Sequence, residues 1–306
     1  MPHEGVGRHA GHHHHPDPAA GDRKVALAVA VNLALTVAQV AGGVVSGSVA
    51  LIADAMHNLS DAVALIIAFL ARRIARRPAT PEMSFGYGRA EVVAALVNYT
   101  TLIVISVWLG YEALVRMIDP PEVTGWIVVV LAGIALAVDL ITAGLTWRLA
   151  RDSMNIRAAF LHNLADAGTS VAVIVSGMMI MLYDWRLADP LITLAISGWI
   201  SWHAIRETGP VIRILMLAAP PEMAPQDIRR VIEDHAGVAG VHHLHLWQLD
   251  EKRISLEAHL VLVEGAAATV TVAETKALVG RVFGITHATF EIETRASGCA
   301  GSSCGP

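Results

Sequence analysis

Apolar residues in this chain come in long unbroken runs. Six of them follow a polar N-terminus: about Val25–Val45, Val49–Ala71, Ala90–Val115, Trp126–Trp147, Ala158–Leu182 and Leu187–Ile205, the last with an end left open as far as Leu217. Each is near the length of about 20 residues that a bilayer demands of a helix. Ser46-Gly47-Ser48 turns the first run tightly into the second, and Asp119-Pro120-Pro121-Glu122 breaks the chain before the fourth. From Pro220 the pattern becomes that of a small folded domain. It predicts a helix over Pro225–Ala236 and strands over Val241–Leu249 and Ile254–Val263, joined by the polar turn Asp250-Glu251-Lys252-Arg253. A second helix over Val270–Phe283 and a third strand over His287–Glu293 complete it. The expected fold is thus an α-helical membrane protein with six transmembrane helices, plus a cytoplasmic α/β domain. The expected divisions are a disordered His-rich tail over 1–22, a six-helix transmembrane domain over 23–218, the α/β domain over 219–296 and a flexible tail over 297–306.

Two of the runs are interrupted by ionisable groups. The second contains Ala53-Asp54-Ala55-Met56-His57-Asn58-Leu59-Ser60-Asp61, and the fifth contains His162-Asn163-Leu164-Ala165-Asp166. Such groups are costly at mid-membrane, several kcal/mol each, so their presence there points to function. Residues four apart on a helix share a face, so His57 projects with Asp61 and His162 with Asp166. Side by side, the two helices offer two imidazoles and two carboxylates, a tetrahedral set that suits Zn²⁺. Two carboxylates balance a divalent charge, and protons replace it when the metal leaves. Metal/proton exchange follows from the residue types. A single His/Asp pair would equally serve as a buried ion pair fixing helix packing; two matching pairs favour the metal. Asp54 is read as a supporting group: a hydrogen-bond anchor, an entrance carboxylate or a partner of the ligands. Asn32, Gln39 and Asn98 read as interhelical hydrogen-bonding amides, whereas Asp139 either lines the cation path or carries a proton.

Composition agrees with a membrane protein. Of 306 residues, 54% are hydrophobic and 16% charged, against about 25% charged in soluble domains, and the mean hydropathy is +0.53. The net charge of −5 offers no case for nucleic acid. Arg72, Arg73, Arg76, Arg77 and Arg89 follow the second span, Arg148, Arg151 and Arg157 follow the fourth, and Arg23 and Lys24 precede the first. The opposite loops carry Asp119, Glu122 and Asp184, with Arg186 their only base. By the positive-inside rule both termini are cytoplasmic. The two cysteines, Cys299 and Cys304, exclude a disulfide framework and read as free thiols or metal ligands. His12 to His15, with His13 and His14 at the centre, form a tract that either scavenges metal or is a solvated tail. In the C-terminal domain His242, His243 and His245 crowd one strand, His259 lies on the next, and His287, Glu291 and Glu293 lie on the third. By alternation His243 and His245 share a face and His242 points the other way. These histidines are either surface groups or a metal site.

Four stretches carry a resemblance: Ser46 through Asp61, Ser84-Phe85-Gly86-Tyr87-Gly88-Arg89-Ala90-Glu91, Leu161 through Asp166, and Val241 through Trp247. In these the chain resembles the zinc-transporter branch of the cation diffusion facilitator family. The resemblance implies a homodimer in a bacterial inner membrane, with a metallochaperone-like (ferredoxin-like) cytoplasmic domain. It implies no enzyme, but Zn²⁺ export against protons by alternating access, with Co²⁺ or Cd²⁺ as secondary cargo. The family's transport ligands fall on His57, Asp61, His162 and Asp166. Its cytoplasmic metal positions fall on His242, His259, His287 and Glu293, where Zn²⁺ would regulate the dimer, with Cys299, Cys304 and the His tract as auxiliary groups. A loop site found in some members would fall on Thr80, Met83 and Tyr87, so none is expected here. Two rival readings are an intramembrane zinc hydrolase, which would keep an open coordination position for water, and a membrane-anchored metal sensor, which would need no buried charges.

Overall fold

The computed structural model describes residues 33–147 and 154–293; within these, the side chains of residues 65, 145, 146, 154–159 and 162 are outside the description. The elements in order are α1 (Leu33–Ser46), α2 (Val49–Ala75), α3 (Arg89–Ile118), α4 (Gly125–Trp147), α5 (Met154–Tyr183) and α6 (Ala188–Leu215). The C-terminal domain follows as α7 (Pro225–Glu233), β1 (Val238–Gln248), β2 (Ile254–Leu262), α8 (Ala268–Phe283) and β3 (His287–Glu293). Among the described residues, helices α2 to α5 are long and apolar enough to cross a membrane. The described part of α1 is apolar but shorter. The 28-residue α6 carries Arg206, Glu207 and Arg213 in its second half, which dilutes its hydropathy.

The chain divides into two compact units, residues 1–62 with 119–192 and residues 63–118 with 193–306, with the divisions inside α2 and α6. In the first unit, Gly47 makes the α1–α2 turn with φ of 78°, a left-handed conformation that glycine adopts without cost. Ser48 then caps α2, its Oγ accepting from the Leu51 N–H at 3.1 Å. Asp189, in the first turn of α6, completes this cap. Its carboxylate accepts from the backbone N–H groups of Val49 (2.8 Å) and Ala50 (3.4 Å) and from the Ser48 hydroxyl (2.5 Å). Both side chains are buried, so the negative charge sits on the positive end of the α2 dipole out of reach of water. Asp189→Ala would strand a hydroxyl and two amides, at about 2 kcal/mol. The expected result is a lower thermal unfolding midpoint in detergent, with Asp189→Asn recovering part of it.

In the second unit, α3 and α6 approach through small residues: Ser106 and Ser201 share a hydrogen bond of 2.7 Å, and Val92 packs with Val211 and Ile214. The C-terminal domain is a three-stranded sheet in the order β1-β2-β3. β1 and β2 pair antiparallel, and β2 and β3 pair parallel across the α8 crossover, giving a mixed sheet. Its core holds Ile228 and Ile232 from α7, Val279 from α8 and the inward-facing residues Leu256, Ala258 and Leu260 of β2. The β1–β2 turn docks on the segment before α3. Arg89 donates from Nε to the Leu249 carbonyl at 2.9 Å. A Cβ on Gly88 would meet the Asp250 carboxylate and Arg253 Nη2, the ends of two side chains that would have to shift to admit it. Burial by itself would raise the Asp250 carboxyl, but the N–H groups of Lys252 and Arg253 and the Arg253 guanidinium hold it below the usual carboxylate range.

Candidate metal sites

The intramembrane site is built on α2 and α5. His57 and Asp61 lie one turn apart on α2, with His57 Nε2 3.8 Å from Asp61 Oδ2. Asp166, on α5, brings Oδ1 to 3.2 Å from the same imidazole nitrogen. One ligand atom from each of the three lies within 4.8 Å of the others, close enough for one ion to touch all three. Asp166 is buried, while His57 and Asp61 are partly exposed, at 18% and 29%. The set is therefore enclosed on the α5 side and reachable on the α2 side. The His162 side chain lies outside the described residues; its backbone is on α5, one helical turn before Asp166. Ala53, Ala55 and Ala62 of α2 and Ala167 of α5 are buried around it in the sequence.

Asp54 is not in this group of three. It is buried one turn earlier and is held by two donors, Gln39 Nε2 at 2.7 Å and Thr169 Oγ1 at 2.8 Å. Asn58 donates to Gln39 Oε1 at 3.5 Å. The result is a buried polar chain across α1, α2 and α5, running beside the metal-type ligands. Thr169 carries no sequence signal of its own, and only its spacing from Asp166 would have hinted at it. Gln39 reads in sequence as an interhelical amide and occupies that role. Asp139, on α4, accepts from Ser170 at 3.4 Å, one residue beyond Thr169.

The second cluster lies in the C-terminal domain. His242 Nε2 is 3.2 Å from Glu293 Oε2, and His259 Nδ1 is 2.7 Å from Glu293 Oε1. These three also present ligand atoms within 4.8 Å of one another. Burial alone would raise the Glu293 carboxyl, but the hydrogen bond from His259 and the charge of His242 draw it down. Glu291, next on the same side of β3, reaches His259 Nε2 at 3.4 Å. His287 is not with them. It pairs with Ser255 at the far end of β3, whereas Glu293 pairs with Val261, six residues or about 20 Å along an extended strand. Its ring instead meets Phe85 edge-on, with centroids 5.6 Å apart. The four-residue set expected from the resemblance thus becomes His242, His259 and Glu293, with Glu291 beside them.

Strict alternation along β1 also fails. The β1–β2 register shifts between His242 and His245, and His243 adopts a φ of 52°. The bulge brings both His242 and His243 against His259, with ring centroids 5.3 and 4.8 Å apart. His243 and His245 remain neighbours, at 4.6 Å. His13, His14, Cys299 and Cys304 lie outside the described residues.

Residues 25–216 match the family described as the cation efflux transmembrane domain, and residues 220–295 match the cation efflux protein cytoplasmic domain. The chain belongs to the cation efflux family. This family member is similar along most of its length to curated relatives. It is 30% identical over 293 residues to a "cadmium, cobalt and zinc/H(+)-K(+) antiporter" of Bacillus velezensis, covering 93% of this chain and 92% of the relative. It is 32% identical over 285 residues to the "metal cation efflux system protein CzcD" of Cupriavidus metallidurans, covering 92% and 89%. It is 30% identical over 284 residues to the "zinc transporter ZitB" of Escherichia coli, covering 92% and 90%. The family and these relatives are named for transport and efflux, not for a catalysed reaction. The helical membrane domain and the C-terminal domain with a small mixed sheet are those of the cation efflux family.

Proposed function

We propose that this cation efflux protein is a proton-coupled Zn²⁺ exporter whose cargo is held by His57, Asp61, His162 and Asp166. The observation that carries this reading is the convergence of His57, Asp61 and Asp166 inside apolar helices, with His162 one turn from Asp166 on the same helix. Nitrogen and carboxylate donors in a four-ligand set suit a borderline ion such as Zn²⁺, with Co²⁺ or Cd²⁺ as secondary cargo. With Zn²⁺ bound, two carboxylates make the site neutral. With Zn²⁺ gone, protons on the same residues keep bare charges out of the bilayer. The ion and the protons compete for one set of atoms, so they move in opposite directions as the site is exposed to one side and then the other.

In this reading α1 and α6 complete a six-span domain over 23–218, with both termini cytoplasmic in a bacterial inner membrane. The domain over 219–296 is metallochaperone-like and joins two copies into a homodimer. Its cluster of His242, His259 and Glu293 takes Zn²⁺ as a regulator, with Cys299, Cys304, His13 and His14 as auxiliary donors from the tails. The direct test is the wild-type chain in vesicles with an imposed pH gradient. Zn²⁺ should move against the proton flow, and flux that persists unchanged when the gradient is collapsed would overturn the coupling.

Asp54 supports the site through the Gln39–Asp54–Thr169 chain. Such supporting partners are worth about 10–100-fold in metal affinity. Asp54→Asn keeps the shape but opposes amide hydrogens to the Gln39 donor. Its half-saturating Zn²⁺ concentration should rise by about that factor. An unchanged concentration dependence would remove Asp54 from this role.

A further inference from the structure

The second unit contains a cavity of about 980 Å³ where the end of α2, the segment over 79–88 and the β1–β2 turn meet. The metal chemistry has no use for it. Five cations line it: Arg72, Arg76 and Arg77 from α2 and its last turn, and Lys252 and Arg253 from the turn of the C-terminal domain. Three carboxylates share the wall, Glu91, Asp250 and Glu251. Asp250 is already engaged by Arg253 at 2.6 Å and by the Lys252 and Arg253 amides at 3.0 and 2.8 Å. Among the described residues, no carboxylate lies within ion-pair distance of Arg72, Arg76, Arg77 or Lys252. Four cations thus face one space with two carboxylates left to oppose them.

The depth of the cavity decides what fills it. From Val49 to Arg72 the α2 helix rises about 35 Å, just more than the roughly 30 Å of a hydrocarbon core. Arg72 to Arg77 therefore emerge at headgroup level, on the side where the cytoplasmic domain lies. The helix face below them is apolar and open. Phe69, three residues before Arg72 and seven before Arg76, is 67% exposed, and Ile66, a turn deeper, is 53% exposed. An acyl chain laid along Ile66 and Phe69 would bring its phosphate to the arginines above. A free phosphate would use only the upper half of this surface.

We propose that this cavity binds the phosphate-bearing headgroup of an anionic phospholipid, held jointly by Arg72 of α2, Arg76 and Arg77 just beyond it, and Lys252 of the C-terminal domain. The occupant bridges the membrane-embedded part of the unit and the domain beyond it, so that anionic lipid strengthens the docking already made by Arg89 on Leu249.

The test uses the delipidated full-length chain in neutral detergent, with phosphatidylglycerol, phosphatidylcholine and inorganic phosphate as probes. Bound lipid is counted by native mass spectrometry, alongside the thermal midpoint. Phosphatidylglycerol should remain bound under conditions that strip phosphatidylcholine, and should raise the midpoint; millimolar phosphate should neither displace it nor mimic it. Lys252→Gln, on an exposed turn, should weaken retention roughly fivefold, and Arg72→Gln with Arg76→Gln roughly fivefold per cation removed. The double lysine replacement at Arg72 and Arg76 should retain lipid, and shows that any loss is one of charge and not of folding. Arg281→Gln, on α8 and outside the cavity, should change nothing. Equal retention of both lipids, equal retention by wild type and Lys252→Gln, or displacement by phosphate would overturn the assignment. No arm depends on zinc movement, so a failure here leaves the transport reading standing, and the reverse.

Discussion

Replacing Asp61 or Asp166 by alanine is expected to abolish Zn²⁺ exchange in vesicles, lowering the rate by more than the roughly 100-fold reached by losing a supporting partner. In the proposed transport site each carboxylate has two jobs. It donates an oxygen to the ion, and it supplies half of the charge that lets a divalent ion sit in an apolar helix bundle. Without it the occupied site carries a net positive charge, and the protonated site loses one place for a proton. The two variants should differ in stability. Asp166 is buried against His57 at 3.2 Å, so its loss removes a buried partner of the imidazole. Asp61 is 29% exposed and further away, so Asp61→Ala should fold nearly as well as wild type. Isotopic zinc uptake measures the first effect and thermal unfolding the second. Wild-type flux in either variant would end the assignment of the site.

The second large effect concerns which ion is accepted. His57→Asp should keep a working site but lower the preference for Zn²⁺ over Mn²⁺ by on the order of tenfold or more. An imidazole favours borderline ions, and a carboxylate favours harder, oxygen-seeking ones. A third carboxylate also leaves the occupied site with a net negative charge unless one proton stays behind. The variant should therefore exchange fewer protons per ion released, or need a higher pH to load. Competition between Zn²⁺ and Mn²⁺ for flux tests the first point, and proton release on metal addition tests the second. Undiminished selectivity would mean that geometry, not donor type, chooses the ion.

The apolar runs, and the polar residues that interrupt them, were legible because a membrane penalises charge so heavily. An aspartate or histidine inside an apolar run announces itself, and a spacing of four places both on one face. That argument found His57, Asp61 and Asp166 with no structure. It read Asp54 as a supporting group and Gln39 as an interhelical amide, but could not pair them with each other or with Thr169, since that pairing depends on how three helices rotate. Asp189 escaped notice for a related reason. At the start of a span a carboxylate looks like a solvated loop residue, and nothing local says that it caps another helix 140 positions earlier. In the C-terminal domain the strands were located to within about three residues, and His242, His259 and Glu293 come together as expected, yet His287 and the facing of His242 differ from the sequence reading. Alternation assumes an unbroken ladder, and the shift between His242 and His245 breaks it. His287 entered the set through the family resemblance, and the strand that carries it puts it at the opposite end from Glu293.

The bulge in β1 has a further effect, unrelated to metal. β1 is an outer strand of the sheet, so one row of its amides and carbonyls faces no other strand of this domain. Such an edge is a template onto which a stray chain can add itself, and long flat edges are the ones that seed aggregates. The left-handed residue at His243 interrupts the straight run of donors and acceptors midway along the strand. No incoming strand can match it over its full length without copying the same irregularity. A bulge of this kind is one of the ways in which an edge strand is made a poor template for strand addition.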